Sequence, residues 1–269
     1  MNTELILNRE MLPAIIGTAL LLGLLSPTVG IILVMRRFSL LADTLSHVSL
    51  FGVAVSSWFA LPMPIGAFAS AIIGGGGIEL LRQSKRVLSE ATLAIFLSGS
   101  LALAIIIFSL RGVDAEEVEA YLFGNLAWVN THDFLFLLGI TVVLGIFFKV
   151  YYRQLFLATI DEDLARVNGV AVGRLNFFFM LLASTVVAAA IKVVGVLLVS
   201  ALIVLPVMAA LQWRVGFKKT LWVSLFLSEC SVGFGLLFAY FGGLPSGAAI
   251  ALMTLLSFLL SYVVNWNHK

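Results

Sequence analysis

The sequence predicts an all-α integral membrane protein, and three observations predict it. Hydrophobic residues make up 61% of the 269-residue chain and charged residues only 11%, where soluble domains run at roughly 45–50% and about 25%. The mean hydropathy is +1.12. The apolar residues form continuous runs of about 20, the length a helix needs to cross the hydrocarbon. Membrane-barrel strands would instead alternate apolar and polar positions. Runs such as Ile105-Ile106-Ile107-Phe108 and Phe177-Phe178-Phe179-Met180 do not alternate. A soluble fold of this size could not cover itself with so few charges. The whole chain, 1–269, reads as one transmembrane domain.

About nine transmembrane helices are expected, over 11–35, 39–60, 62–80, 88–110, 134–152, 175–191, 193–211, 220–241 and 245–264. The first run ends in Arg36-Arg37 rather than in a small-residue cleavage site, so it reads as a retained span and not a signal peptide. Pro62 and Pro245 fall near span starts, where a missing N–H is tolerated. Pro206, inside the seventh span, is expected to kink or end it. The join at Lys192 leaves two readings open: a turn between two spans, or one span followed by a re-entrant or broken helix. Two connections are long. The stretch 111–133, with Asp114, Glu116, Glu117 and Glu119, predicts a short surface helix ending in Tyr121-Leu122-Phe123-Gly124. The stretch 153–174 predicts a short helix over Asp161-Glu162-Asp163-Leu164-Ala165-Arg166, with its acids at the N-terminal end.

Thirteen of the sixteen basic residues fall on one side of such a topology. They are Arg36, Arg37, Arg82, Lys85, Arg86, Lys149, Arg153, Arg166, Arg174, Arg214, Lys218, Lys219 and Lys269. Arg9, Arg111 and Lys192 fall on the other. The positive-inside rule then places the N-terminus outside and the C-terminus in the cytoplasm of a multi-pass membrane protein. A net charge of +2, dispersed between apolar runs, leaves no nucleic-acid footprint. The single cysteine, Cys230, excludes an intramolecular disulfide.

Ionisable groups inside spans are functional candidates because burying them is expensive. Asp43 and His47 stand four apart in the second span, on one helix face about a turn from each other. Both suit a borderline divalent metal such as Zn²⁺. The other reading is a structural pair, with His47 donating a hydrogen bond to Asp43. Two ligands do not make a closed zinc site, but two copies of the chain about a two-fold axis supply four. Glu229 in the eighth span either guides a cation or bonds to Ser228 or Ser231. His132, between Asn130-Thr131 and Asp133, reads as helix-capping sequence, and His268 lies in the polar tail. Gly74-Gly75-Gly76-Gly77 lacks a following Gly-Lys-Ser/Thr, so it is no phosphate cradle; it reads as a close-packing or bending site. No zinc-protease or nucleophile-elbow motif occurs. The chain reads as a non-enzyme without a nucleotide site.

The stretch Arg36-Arg37-Phe38-Ser39-Leu40-Leu41-Ala42-Asp43-Thr44-Leu45-Ser46-His47-Val48-Ser49-Leu50-Phe51-Gly52-Val53-Ala54 resembles the signature of the bacterial zinc/manganese ABC-importer permeases. Three shorter segments agree in order: Ala120-Tyr121-Leu122-Phe123-Gly124, Lys192-Val193-Val194-Gly195-Val196-Leu197-Leu198-Val199-Ser200-Ala201 running to Leu205-Pro206, and Pro245-Ser246-Gly247-Ala248. The resemblance implies a homodimeric permease of the type II ABC-importer fold. It implies a cytoplasmic ATP-binding subunit and an extracytoplasmic metal-binding protein as partners, beside membrane lipid. In that family the Asp-x-x-x-His pair is the intramembrane metal site, which maps onto Asp43 and His47. No cofactor is held permanently; the transported metal is the cargo.

His47-Val48-Ser49-Leu50-Phe51-Gly52 resembles the zinc branch, since manganese members tend to carry proline where Phe51 stands. Tyr121-Leu122-Phe123-Gly124 leans the same way. By analogy, the ATPase-coupling segment is expected after Leu205-Pro206, with Ala209, Ala210, Gln212, Arg214, Gly216 and Lys218 in or near a coupling helix. The loop from Asp161 to Gly169 is the second candidate. The expected function is ATP-driven zinc import. A manganese/iron permease and a proton-coupled secondary transporter using Asp43 or Glu229 are the alternatives.

Overall fold

A computed structural model describes residues 12–84, 88–113, 115–124 and 129–266. Arg9, Lys85, Arg86, Asp114, His268 and Lys269 lie outside the described residues. Those residues form eleven helices and no strand: α1 (Leu12–Met35), α2 (Leu40–Trp58), α3 (Met63–Ser84), α4 (Ser89–Arg111), α5 (Ala115–Phe123), α6 (Thr131–Ile160), α7 (Glu162–Val167), α8 (Val172–Val194), α9 (Val199–Leu211), α10 (Phe217–Gly242) and α11 (Ser246–Trp266). Eight of them are long and apolar enough to cross a membrane, all but α5, α7 and α9.

The expected seventh span, 193–211, is where the structure differs. Lys192 is still in the last turn of α8, and the chain breaks after Val194 before a 13-residue helix, α9, begins. The join is thus a broken helix. Pro206 stands inside α9 rather than ending it. The expected surface helix is α5, and the expected acidic helix is α7, whose N-cap Asp161 accepts from the amides of Asp163 and Leu164.

Irregular backbone is tolerated at membrane depth only where its polar groups find partners in protein. Here the partners come from α5. The amide of Val196 donates to the carbonyl of Tyr121 at 3.0 Å, and that of Leu197 to Leu122 at 3.2 Å. Gly195 takes φ +89° and Gly124 φ +73°, a region where side chains are strained, and each glycine is pressed against the other's backbone. A Cβ on Gly247, at the start of α11, would run into the carbonyls of Val194 and Phe123. Three segments far apart in sequence therefore meet at one seam.

Helices α2, α3 and α4 pack as one group and α9, α10 and α11 as another, with α1 and α8 reaching between them. Small residues permit the closest approaches, as is usual where lipid removes the hydrophobic drive between helices. Gly52 of α2 faces Gly66 of α3 backbone to backbone, Gly30 of α1 faces the carbonyl of Ile203, and Gly74 and Gly75 receive Val48 and Ser184. The glycine run is a packing site. Helices α1, α2 and α8 are largely buried, whereas α4, α6, α10 and α11 turn apolar residues such as Ile105, Ile146 and Phe226 outward.

The seam predicts an asymmetry among glycine substitutions. Gly195→Ala places a Cβ in a strained conformation against backbone, a loss of about 1–3 kcal/mol or more. Gly139→Ala, in open space within α6, gains up to about 1 kcal/mol of helix propensity. Thermal unfolding of the purified variants in detergent reads the difference as a lowered midpoint for Gly195→Ala alone.

Candidate functional site

Helix α2 is buried along its length except for one stripe. Its residues that remain half-buried or exposed are Leu40, Asp43, His47, Phe51, Val55, Ser57 and Trp58. All but Ser57 recur every three or four residues, so they run down one face. The stripe opens because α3, α4, α8 and α9 cover the rest of the helix. Asp43 sits in the first turn, where a carboxylate meets the positive end of the helix dipole. Neighbouring hydroxyls are satisfied locally: Thr44 donates to the carbonyl of Leu40, and Ser46 to that of Asp43 at 2.8 Å.

The two candidate ligands share the stripe without binding each other. Among the described residues no ion pair or hydrogen bond joins their side chains, and the buried Nδ1 of His47 has no partner. The structural-pair reading, which needs that hydrogen bond, is not realised. Nor does a third ligand stand near: the described residues contain no cluster of three or more histidine, cysteine or acidic side chains fit to hold a metal. Glu229 thus forms no such cluster with the pair. It lies on α10 against Gly23 of α1, where a Cβ would stand 2.8 Å from its Oε1. The expected serine partners do not hold it, because Ser231 donates to the carbonyl of Leu227 and the Ser228 hydroxyl is unbonded. His132 is exposed beside a capping box in which Asn130 and Asp133 exchange side-chain and backbone hydrogen bonds. Asp133 also pairs with Lys192 at 2.6 Å.

A second polar centre lies at the end of the bundle where α1, α3 and α6 finish. Glu79, 1% exposed, accepts both Nε and Nη2 of Arg82 at 2.7 and 2.8 Å, and Nε2 of Gln83 at 2.9 Å. Arg82 turns its Nη1 to Glu162 of α7 at 3.2 Å. Glu162 also accepts from Nδ2 of Asn176 on α8 at 3.0 Å and stands 3.9 Å from Arg36. Arg36 in turn donates to Asn176 and to Thr159. Burial pushes the Arg36 guanidinium down to about 10 against the opposing pull of Glu162, so it stays charged at neutral pH. Sequence reading missed Glu79 as an intramembrane charge. Its signal was the Glu-x-x-Arg spacing, which sets the two side chains on one helix face.

The residues expected to contact an ATPase fall into two environments. Ala209 and Ala210 are fully buried in α9. Gln212 is half-buried at its C-cap, Arg214 takes φ +50°, and Gly216 and the exposed Lys218 begin α10. The stretch 212–216 holds no helix, whereas the other loop holds α7.

The sequence profile of the ABC 3 transport family matches residues 8–265. The chain belongs to the ABC 3 transport family. It is 34% identical over 240 residues to a probable metal transport system membrane protein of Treponema pallidum (strain Nichols), covering 89% of this chain and 90% of that one. It is 31% identical to the high-affinity zinc uptake system membrane protein ZnuB of Buchnera aphidicola subsp. Schizaphis graminum (strain Sg), covering 91% and 94%. It is 28% identical to the manganese transport system membrane protein MntC of Listeria innocua serovar 6a, covering 91% and 88%. The solved structure of PsaBC from Streptococcus pneumoniae in complex with Fab superposes with a TM-score of 0.83 at 26% identity, covering 96% of this chain and 92% of that one. This family member is accordingly a multi-pass membrane subunit of an ABC transport system.

Removing Glu79 strips the Arg82 guanidinium of its two-pronged partner and leaves it Glu162 alone, and breaking a buried pair costs about 3–5 kcal/mol. Glu79→Ala is expected in that range. Asp163→Ala, whose side chain is 88% exposed beside Arg166, is expected to shift stability by less than about 1 kcal/mol. Detergent-solubilised thermal unfolding of the two variants checks the ranking.

Proposed function

We propose that this chain is the permease of an ATP-driven importer of divalent metal, with zinc as the favoured cargo, bound in passage by Asp43 and His47. The observation that carries the reading is the open stripe of α2, which presents two metal-ligand side chains free of each other and of any third ligand. Zinc sites usually have four protein ligands when closed. A second copy of the chain, with its stripe facing the first across a two-fold axis, supplies four from one sequence. Such a site must also release its ion, and carboxylate and imidazole suit exchange better than thiolate would. Manganese is the second reading, supported by the 28% identity to MntC. Carboxylate and imidazole ligands suit both metals, so the zinc preference rests on the motif residues around Phe51.

The basic end of the bundle faces the cytoplasm in this account, which puts the N-terminus outside and the C-terminus inside the bacterial plasma membrane. An extracytoplasmic binding protein delivers metal to the end where Lys192 and Asp133 pair. A separate ATP-binding subunit docks on the other end. Helix α7 is the preferred contact there, ahead of the segment from Gln212 to Lys218, because α7 stands apart in its loop and is tied through Glu162 to Arg36, Arg82 and Asn176. A push on α7 reaches α3 and α8 through that one carboxylate.

Asp43→Ala and His47→Ala are each expected to reduce cellular zinc uptake at least tenfold, on the order of the loss of a metal ligand, at unchanged protein levels. Normal uptake in either variant would remove the site assignment. Manganese relieving growth better than zinc would reverse the cargo order, and uptake persisting without the ATP-binding subunit would favour proton coupling.

A further inference from the structure

The transport path leaves unused a cleft at the basic end, between α6 and α10. Helix α6 runs to Ile160, well past the expected end of its span, and its closing turns carry Lys149, Tyr152, Arg153 and Phe156 at helical spacing on one face. The first turn of α10 supplies Phe217, Lys218 and Lys219 opposite. The Phe217 ring meets Tyr152 at 5.9 Å and Phe156 at 5.2 Å, both edge-on. Tyr152, Phe156, Phe217, Lys218 and Lys219, with Val215 and Gly216, line an open cleft of about 360 Å³.

The chemistry of the cleft has two halves. Its rim is cationic: Lys218 and Lys219 line it, no carboxylate does, and neither lysine forms an ion pair among the described residues. Lys149 and Arg153 are likewise unpaired and exposed on the α6 face. Its floor is aromatic, and the surfaces leading away along the bundle are apolar and outward-facing: Trp222 and Phe226 on α10, Val150 and Ile146 on α6. A free anion would use the rim alone. A molecule with an anionic head and an apolar tail uses both.

We infer that this cleft is a binding site for an anionic phospholipid, its phosphate against Lys218 and Lys219 and its acyl chains along the groove between α6 and α10. Each lysine close to an anionic lipid surface contributes severalfold to binding. The site shares no residue with the metal path or the α7 contact, while Gly216 and Lys218 belong also to the second candidate contact for the ATP-binding subunit.

The test is lipid retention by the purified full-length chain, read by native mass spectrometry after exposure to equal phosphatidylglycerol and phosphatidylcholine. Wild type is expected to retain phosphatidylglycerol on the order of tenfold more. Lys218→Gln/Lys219→Gln is expected to abolish the preference, and Arg174→Gln, which removes a cation at the same end outside the cleft, to keep it. Equal retention of the two lipids by wild type would overturn the inference without any variant. So would an undiminished preference in the double variant, or displacement of the lipid by millimolar inorganic phosphate. Loss of ATP-binding-subunit association in the double variant with lipid preference intact would assign the lysines to protein docking instead.

Discussion

The architecture turns on one carboxylate. Glu162 begins a helix of six residues, too short to be stable by itself. It is held because its side chain answers Arg82 from α3, Asn176 from α8 and, at longer range, Arg36 from the end of α1. Charges gathered at the end of an apolar bundle are tolerable only when paired, and breaking one pair strands the others. The arrangement therefore makes α7 a rigid extension of three membrane helices rather than a free loop. Any force applied to α7 is delivered into the bundle at that point.

The opposite end follows a different rule. There the chain breaks between α8 and α9, and the freed amides of Val196 and Leu197 are satisfied by carbonyls of α5. Two glycines at positive φ and a third packed on backbone make room for the crossing. The short motifs around Gly124, Gly195 and Gly247 thus have one structural cause: they are three sides of the same close approach. Polar satisfaction governs one end of the molecule and backbone satisfaction the other, while α2, with its open stripe, lies between them.

Much of this was legible in the sequence because hydrophobic run length and charge position are local signals. The eight long spans, α5, α7 and the capping role of the residues around His132 follow from such signals. The join at Lys192 was left open between a turn and a broken helix, because what decides it is distant: the carbonyls of Tyr121 and Leu122, some 70 residues earlier, satisfy the amides freed by the break after Val194. Glu79 escaped notice because it stands one residue from the expected end of its span, where a charge is ordinary; the helix continues to Ser84 and keeps it buried. The spacing of Asp43 and His47 was visible, but their common open stripe depends on which helices cover the other faces of α2. The burial of Ala209 and Ala210 within α9 was equally out of reach, since it depends on how α1, α10 and α11 pack around that helix.

The central claim is that two copies of the α2 stripe share one transient metal. X-ray absorption of the zinc-loaded permease, with zinc quantified per chain, tests it most directly. The account predicts one zinc per two chains, nitrogen and oxygen ligands at about 2.0–2.2 Å, and an imidazole contribution that disappears in His47→Ala. One zinc per chain, or a spectrum unchanged by His47→Ala, would contradict it.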